Sequence, residues 1–429
     1  MCDVVLPAAV RHLVALLPTW ATYSEVTGTM ETNNGEPASG DNAVVMACTH
    51  PYWSARQVGS QHLARQFARR GWKVYYLSAA VTPFHMARIA APEVSQRVRT
   101  ACSSPTRHEG GAIESYVPFA VVAPDGRPFL RAPITSRHWW RTLLPQVRRR
   151  LRGNVLRHES TLLYIDNLSY GWLLDWLPYD YSVFRVMDDH ERFPGWQGRA
   201  HGLARDIAQK VDLTVYSAAT LADYVDSLNP CKAALVPNGV DVDAFSGRQC
   251  TRTIPDAIRR VKRPLVLYTG AIDDRVDLDT IARAARRLPH VSFVMMGPRD
   301  VSSRGMSLPE NVVFTGHVAH EQLPACMQHA VAGIVPFRGA ADEPHALRGV
   351  RPLKMLEYLA AGLPVISASW AETEAEDIPV WRYRNVDDLV ALVERALTHS
   401  HDPSAGRRYA ERYDWNGQLG RILAALNLA

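Results

Sequence analysis

Lys354 and Glu357 stand three residues apart in Arg351-Pro352-Leu353-Lys354-Met355-Leu356-Glu357-Tyr358-Leu359-Ala360-Ala361-Gly362-Leu363-Pro364-Val365. Pro352 suits the first turn of a helix, where its missing N–H is no loss. Gly362 and Pro364 stop that helix before a strand beginning at Val365. Leu353, Leu356 and Leu359 or Ala360 form its core face, and the spacing puts Lys354 and Glu357 on one other face near the N-terminal end. Unpaired N–H groups at a helix start, joined by a lysine, can hold a diphosphate. A carboxylate one turn deeper can accept both hydrogen bonds of a ribose diol. An ordinary surface ion pair fits the spacing equally well.

Asp188-Asp189-His190 follows an apolar run, Val183 to Met187. Adjacent carboxylates repel, which raises one pKa and suits a general base acting on a hydroxyl. Helix capping is the competing use of the same acids. Asp166, with Asn167, and His50 lie after other apolar runs and are further candidates for contacting an acceptor or a phosphate. Asn238 and Gly239 read as an interdomain turn rather than as ligands. The segment from Arg131 to Arg157 holds eight arginines and no acid, with Trp139 and Trp140 among them. Leu143, Leu144, Val147, Leu151 and Val155 recur there at helical spacing, although Pro145 limits the helix. A basic, tryptophan-bearing amphipathic surface suits the interface of an anionic bilayer. A solvated helix face and nucleic-acid binding are its rivals, and the nucleotide-type site elsewhere argues against nucleic acid.

These residues need a scaffold that presents strand ends, and the hydrophobic pattern supplies one. Short apolar runs begin at Ala43, Trp72, Leu162, Val183 and Leu213, and again at Leu265, Val291, Val312, Ala332 and Val365. Helical segments separate them, as in parallel, doubly wound α/β sheets. The expected division is an extension over 1–41, weakly ordered, a first α/β domain over 42–247, a linker over 248–261, a second α/β domain over 262–403 and a helical segment over 404–429. Ligands of such sheets sit beyond the carboxyl ends of the strands.

With 429 residues, 47% hydrophobic and 21% charged, the chain is too ordinary in composition for a disordered or fibrous protein. No run approaches the roughly 18 apolar residues of a spanning helix. The six cysteines are scattered without C-x-x-C pairs, which suits reduced thiols and gives no zinc motif. The N-terminus lacks a basic n-region and a cleavage site, so a cytoplasmic location is expected, with contact at the inner face of the cell membrane. G-x-G-x-x-G, G-x-x-x-x-G-K-[ST], H-E-x-x-H and G-x-S-x-G are all absent.

Pro352 to Val365 resembles the nucleotide-binding stretch of GT-B glycosyltransferases, particularly family 4 and relatives that build surface polysaccharides. Val236-Pro237-Asn238-Gly239-Val240-Asp241, Val186-Met187-Asp188-Asp189-His190, Tyr268-Thr269-Gly270-Ala271-Ile272, Met296-Gly297-Pro298 and Asn311 to Gly316 resemble further segments of that family in the same order. The resemblance spans about residues 42 to 425. It implies an α/β GT-B architecture of two Rossmann-like doubly wound domains facing a cleft. It also implies transfer of a sugar from a nucleoside-diphosphate donor to a glycan or lipid-linked saccharide, without metal or cofactor. UDP is the default nucleotide because it is the commonest.

By position, the resemblance gives Lys354 to the diphosphate, Glu357 to the ribose and Gly270 to close backbone approach at the phosphates. Two departures stand out. Gly349 occupies the place of a glutamate that many family 4 members carry eight positions before Glu357, with Asp342, Glu343 and His345 as nearby substitutes. Asp273-Asp274-Arg275 occupies the place of a basic residue, so Arg275 becomes the candidate charge. The likeness favours retention, and a basic Asp188 or Asp189 would favour inversion. A nucleotide-sugar 2-epimerase and a non-catalytic subunit of an assembly complex are the alternative readings.

Overall fold

Residues 43–47 are buried on both faces of strand β1 (Asn42–Ala47), which is why the run Ala43-Val44-Val45-Met46-Ala47 shows no polar alternation. The computed structural model describes residues 42–428 apart from 102–104, 125–129, 131, 193–197, 247–252, 300–305, 339–348, 371–372 and 375–376. The expected extension over 1–41 lies outside the described residues, as do Asp342, Glu343 and His345.

The first domain continues with β2 (Lys73–Leu77), β3 (Thr106–His108), β4 (Ile113–Tyr116), β5 (Ser160–Ile165), β6 (Tyr181–Val186), β7 (Leu213–Tyr216) and β8 (Ala233–Leu235). These eight strands form one sheet in the order β3-β4-β2-β1-β5-β6-β7-β8. All neighbours are parallel except the hairpin β3–β4. Helix α1 (Gly59–Arg69) follows β1 and buries Leu63, Ala64 and Phe67 against one face. Helix α2 (Pro145–Val155) precedes β5 and buries Leu151 and Val155 against the other.

The second domain contains β9 (Leu265–Thr269), β10 (Ser292–Met296), β11 (Val312–Gly316), β12 (Ala332–Val335), β13 (Val365–Ala368) and β14 (Trp381–Tyr383). Its order is β11-β10-β9-β12-β13-β14, all parallel, the Rossmann sequence of three strands outward and three back. Helix α3 (Leu353–Ala361) joins β12 to β13. Pro352 is its N-cap, one position earlier than the sequence suggests, and Gly362 closes it at φ +80°.

Each sheet reverses direction at one point, between β1 and β5 and between β9 and β12. The chain segments that leave β1, β5 and β9 carry His50, Asp166 and Gly270 respectively.

The domains are joined twice. Val240 N–H donates to Tyr413 O (2.9 Å) and Trp415 N–H donates to Val240 O (3.2 Å), so the outgoing and returning segments run side by side. Val240 and Phe245 already pack in the second core. Helix α4 (Trp415–Ala425) returns to the first domain, where Trp415, Leu419, Ile422 and Leu423 pack in the same cluster as Leu63 and Phe67 of α1. Among the described residues no helix is long and apolar enough to cross a membrane.

Candidate functional site

Lys354 and Glu357 each engage the second domain rather than forming the surface ion pair their spacing allowed. Tyr358 on the same helix fixes their height: its hydroxyl accepts from Thr269 N–H (2.8 Å) and lies 3.1 Å from Thr269 Oγ1. Helix α3 is thereby tied to the last residue of β9. Pro352 offers no side-chain cap, and of the first-turn amides Met355 N–H donates to Pro352 O (3.2 Å).

Lys354 Nζ donates to Tyr268 Oη (2.8 Å) and lies 4.0 Å from the centroid of the Tyr268 ring and 5.3 Å from that of Phe337. Burial lowers its pKa to about 7, with Arg275 and Arg56 adding repulsion against the attraction of Glu357 and Asp273. Gly270 sits beneath the ammonium at φ +123°, and a Cβ there would lie 2.8 Å from Nζ. Gly297 is equally constrained at φ +146°, since its Cβ would collide with Gly270 O.

Glu357 is buried and accepts a 2.9 Å hydrogen bond from His320 Nε2. Burial works against the imidazolium, but the Glu357 hydrogen bond and charge outweigh it and raise the His320 pKa above its ordinary value. Neither His320 nor Tyr268 carries a signal in the spacing of the motif; both meet it only through the fold.

Arg275 is held in a fork by Asp273, with Nη2 2.6 Å from Oδ2 and Nε 3.1 Å from Oδ1. That pairing raises its pKa, while the Arg275 side chain overcomes burial and holds Asp273 below the usual range. Asp188 belongs to the first domain, after β6, and senses the Arg275 charge from there. Burial raises Asp188 to about 6, Arg275 opposes the rise and Asp189 adds to it. Asp189 accepts from Glu191 N–H (3.2 Å), the capping role that competed with catalysis. His190 is pressed down to about 4 by burial, against the pull of Asp189 and Glu191, and lies 6.4 Å from the Phe184 ring.

Asp166 is committed to structure. It is buried, accepts from Thr49 N–H (3.1 Å) and from the Ser60 hydroxyl, and so staples β5 to the start of α1. Its pKa is raised by burial although these hydrogen bonds and Arg185 oppose it. His50 is held near 4 by burial and by repulsion from Arg56 and Arg97, and is therefore neutral at ordinary pH. Asn238 accepts from Arg185 Nη2 (2.8 Å) and donates to Arg351 O (3.0 Å), bridging the two domains.

Arg56 was not singled out by any motif. It lies on the loop between β1 and α1, yet its charge acts on Tyr268 and Lys354 of the other domain. Arg275 and Arg56 thus both repel Lys354, which lies one helical turn from Glu357, and Asp188 acts on Arg275 from the first domain. Such crowding of like charge is costly until an anion enters. Among the described residues no three His, Cys, Asp or Glu side chains gather as a metal site requires.

The arginine-rich segment differs from its sequence reading in one respect. Trp139 is buried in the first core, with Nε1 donating to Ser169 O (2.8 Å), so it offers no surface to a bilayer. Trp140 stacks on Trp172 with centroids 5.3 Å apart, and Arg148 and Arg141 lie over its ring. Arg148, Arg149, Arg152, Gly153, Leu156 and Trp176 line a cavity of about 510 Å³. Leu144 and Leu156 at the ends of α2 are exposed.

Residues 263–399 match the family model for "Glycosyl transferases group 1". Over 233 residues the chain is 30% identical to TuaH of Bacillus subtilis, named as a teichuronic acid biosynthesis glycosyltransferase, covering 51% of this chain and 57% of that protein. Over 214 residues it is 24% identical to a phosphatidyl-myo-inositol mannosyltransferase of Mycobacterium tuberculosis, covering 44% of this chain and 53% of that protein. The chain therefore spans just over half the length of these curated relatives. Its fold superposes on that of HepE from Anabaena, solved in complex with UDP-glucose. The TM-score is 0.60 at 12% identity, covering 90% of this chain and all of the other. The architecture is GT-B, with two parallel-sheet domains, as the sequence implied.

Proposed function

We propose that this chain, which carries a glycosyl transferases group 1 domain over residues 263–399 within a GT-B fold, is a glycosyltransferase using a nucleoside-diphosphate sugar. The observation that carries the reading is Lys354 Nζ seated over Gly270 at the end of β9, with the buried Glu357 carboxylate one turn further along the same helix. Lys354 matches a diphosphate, with Arg275 and Arg56 adding positive charge near it, and a buried carboxylate one turn away matches a ribose diol. UDP is the first nucleotide to test, because the structural neighbour HepE was solved with UDP-glucose.

In this reading the acceptor hydroxyl attacks the anomeric carbon, and the bond from that carbon to the diphosphate oxygen breaks. Negative charge builds on the departing diphosphate, where Lys354 and Arg275 meet it. In an inverting reaction Asp188, held near 6, would take the acceptor proton. The names of the two relatives support an acceptor that is a growing surface polysaccharide or a lipid head group. The arginine-lined cavity beside α2 supports contact of the first domain with an anionic membrane. No observation favours the epimerase or the non-catalytic subunit.

The test is a thermal-shift and hydrolysis screen against UDP-, GDP- and dTDP-sugars, with Lys354→Ala and Glu357→Ala in parallel. Stabilisation by one donor class, lost in both variants, is expected. Stabilisation by none, or stabilisation indifferent to both substitutions, would overturn the site.

A further inference from the structure

We infer that His320 is the positioning residue for Glu357, fixing the carboxylate so that its remaining acceptor positions face the ribose diol of the donor. The inference rests on the nucleotide-site reading above and deepens it. A glutamate side chain has three rotatable bonds, and ordering them at the moment of binding subtracts from affinity. His320 Nε2 donates to Glu357 Oε1 at 2.9 Å and removes that freedom in advance.

The imidazole is itself held from three sides. His62 of α1 meets it edge-on with centroids 5.3 Å apart, Phe245 meets it edge-on at 5.4 Å, and Glu357 of α3 accepts a hydrogen bond from its Nε2. The charged groups around it are Arg65 on α1, Glu321 on its own turn and Glu357. His62 does not add to the positive charge. Burial keeps it far below its ordinary pKa, and Arg65 Nη2 lies 3.0 Å from its Nδ1, which must then act as acceptor. A neutral His62 packs against His320 without repelling the imidazolium.

His62 also stacks on Trp415 at 5.2 Å and 7°, and Trp415 belongs to the helix that returns to the first domain. The orientation of the Glu357 carboxylate is thus referred, through His320 and His62, to the first domain and not only to the helix that carries it.

The experiment compares the affinity of UDP and GDP, each as ribonucleotide and as 2′,3′-dideoxynucleotide, by titration calorimetry. The proteins are the full chain and its His320→Leu, His320→Gln and Glu357→Gln variants, with melting curves to show that each is folded. The unaltered chain is expected to prefer the ribonucleotide. His320→Leu should lower ribonucleotide affinity about tenfold, the worth of one hydrogen bond to a charged group, and leave dideoxynucleotide affinity unchanged. His320→Gln, whose amide can still donate, should recover most of the loss. Equal losses on both nucleotide forms would reveal a merely structural histidine and overturn the inference. A ribose preference lost in Glu357→Gln but kept in His320→Leu overturns the positioning role alone. A ribose preference that survives Glu357→Gln overturns the nucleotide reading and this inference with it.

Discussion

Lys354 Nζ donates to Tyr268 Oη at 2.8 Å and lies 4.0 Å from the centroid of the same ring. The ammonium is therefore parked on an aromatic face close to Gly270, where its hydrogen bond to Tyr268 and the charges of Glu357 and Asp273 only partly offset its burial. A diphosphate entering over Gly270 would offer a better partner. Replacing Lys354 with Ala should reduce kcat/KM by about two to three orders of magnitude, as loss of a charge-stabilising group does. Tyr268→Phe, which removes only the hydroxyl, should change it far less. Steady-state kinetics with the donor found in the screen checks both.

The pH profile follows from two groups whose burial moves them toward neutrality from opposite sides. In the proposed roles, Asp188 near 6 is ionised to serve as base and Lys354 near 7 is protonated to meet the diphosphate. The expected kcat/KM is a narrow bell, rising through about 6 and falling above about 7. Bound diphosphate favours the ammonium form, so the falling limb of kcat should lie at higher pH than that of kcat/KM. Coincident falling limbs would count against Lys354 as the diphosphate ligand.

Asp188 also makes a stability prediction. Its folded pKa is raised from 3.8 to about 6, so folding favours the protonated form. The resulting stability is fully present below pH 3.8 and is lost as pH rises through about 6. Asp188→Asn should therefore melt higher than the unaltered chain at pH 8 and at the same temperature at pH 3. Circular dichroism melts at the two pH values decide it.

Gly270→Ala tests the crowding at the end of β9. Its φ of +123° is one that alanine rarely adopts, and the new methyl would press on Lys354 Nζ. A loss of about 1–3 kcal/mol in stability is expected from the backbone alone. Nucleotide-induced stabilisation should disappear as well, measured as a change in melting temperature with and without UDP.

The membrane proposal predicts a vesicle result. Arg148→Glu, Arg149→Glu and Arg152→Glu together should abolish co-sedimentation with phosphatidylglycerol-rich vesicles. Donor hydrolysis in solution should be unchanged, because the cavity lies beside α2 and not at the strand ends. Undiminished co-sedimentation would end the idea.

Much of the scaffold can be read without coordinates, and several of the exceptions share a cause. Leu213–Tyr216 and Ala332–Val335 coincide with their apolar runs because these strands are central and buried on both faces. Thr106–His108, Ala233–Leu235 and Trp381–Tyr383 sit at sheet edges, are three residues long and partly exposed, so their residues give only a weak strand signal. Within the site, the Lys354–Glu357 spacing is local and legible. Tyr268, His320 and Arg56 reach it from 86, 37 and about 300 positions away, and such proximity is created only by folding. The two tryptophans at 139 and 140 illustrate the opposite error: adjacent residues of one type went to the core and to the arginine surface respectively.

The paired crossing at Val240 and Tyr413–Trp415 has a mechanical meaning. A single tether would let the two halves twist and drift freely, whereas two backbones hydrogen-bonded side by side resist torsion and leave bending as the soft motion. In the proposed donor-binding role, opening and closing would then be a swing about one line, like a door on two hinges.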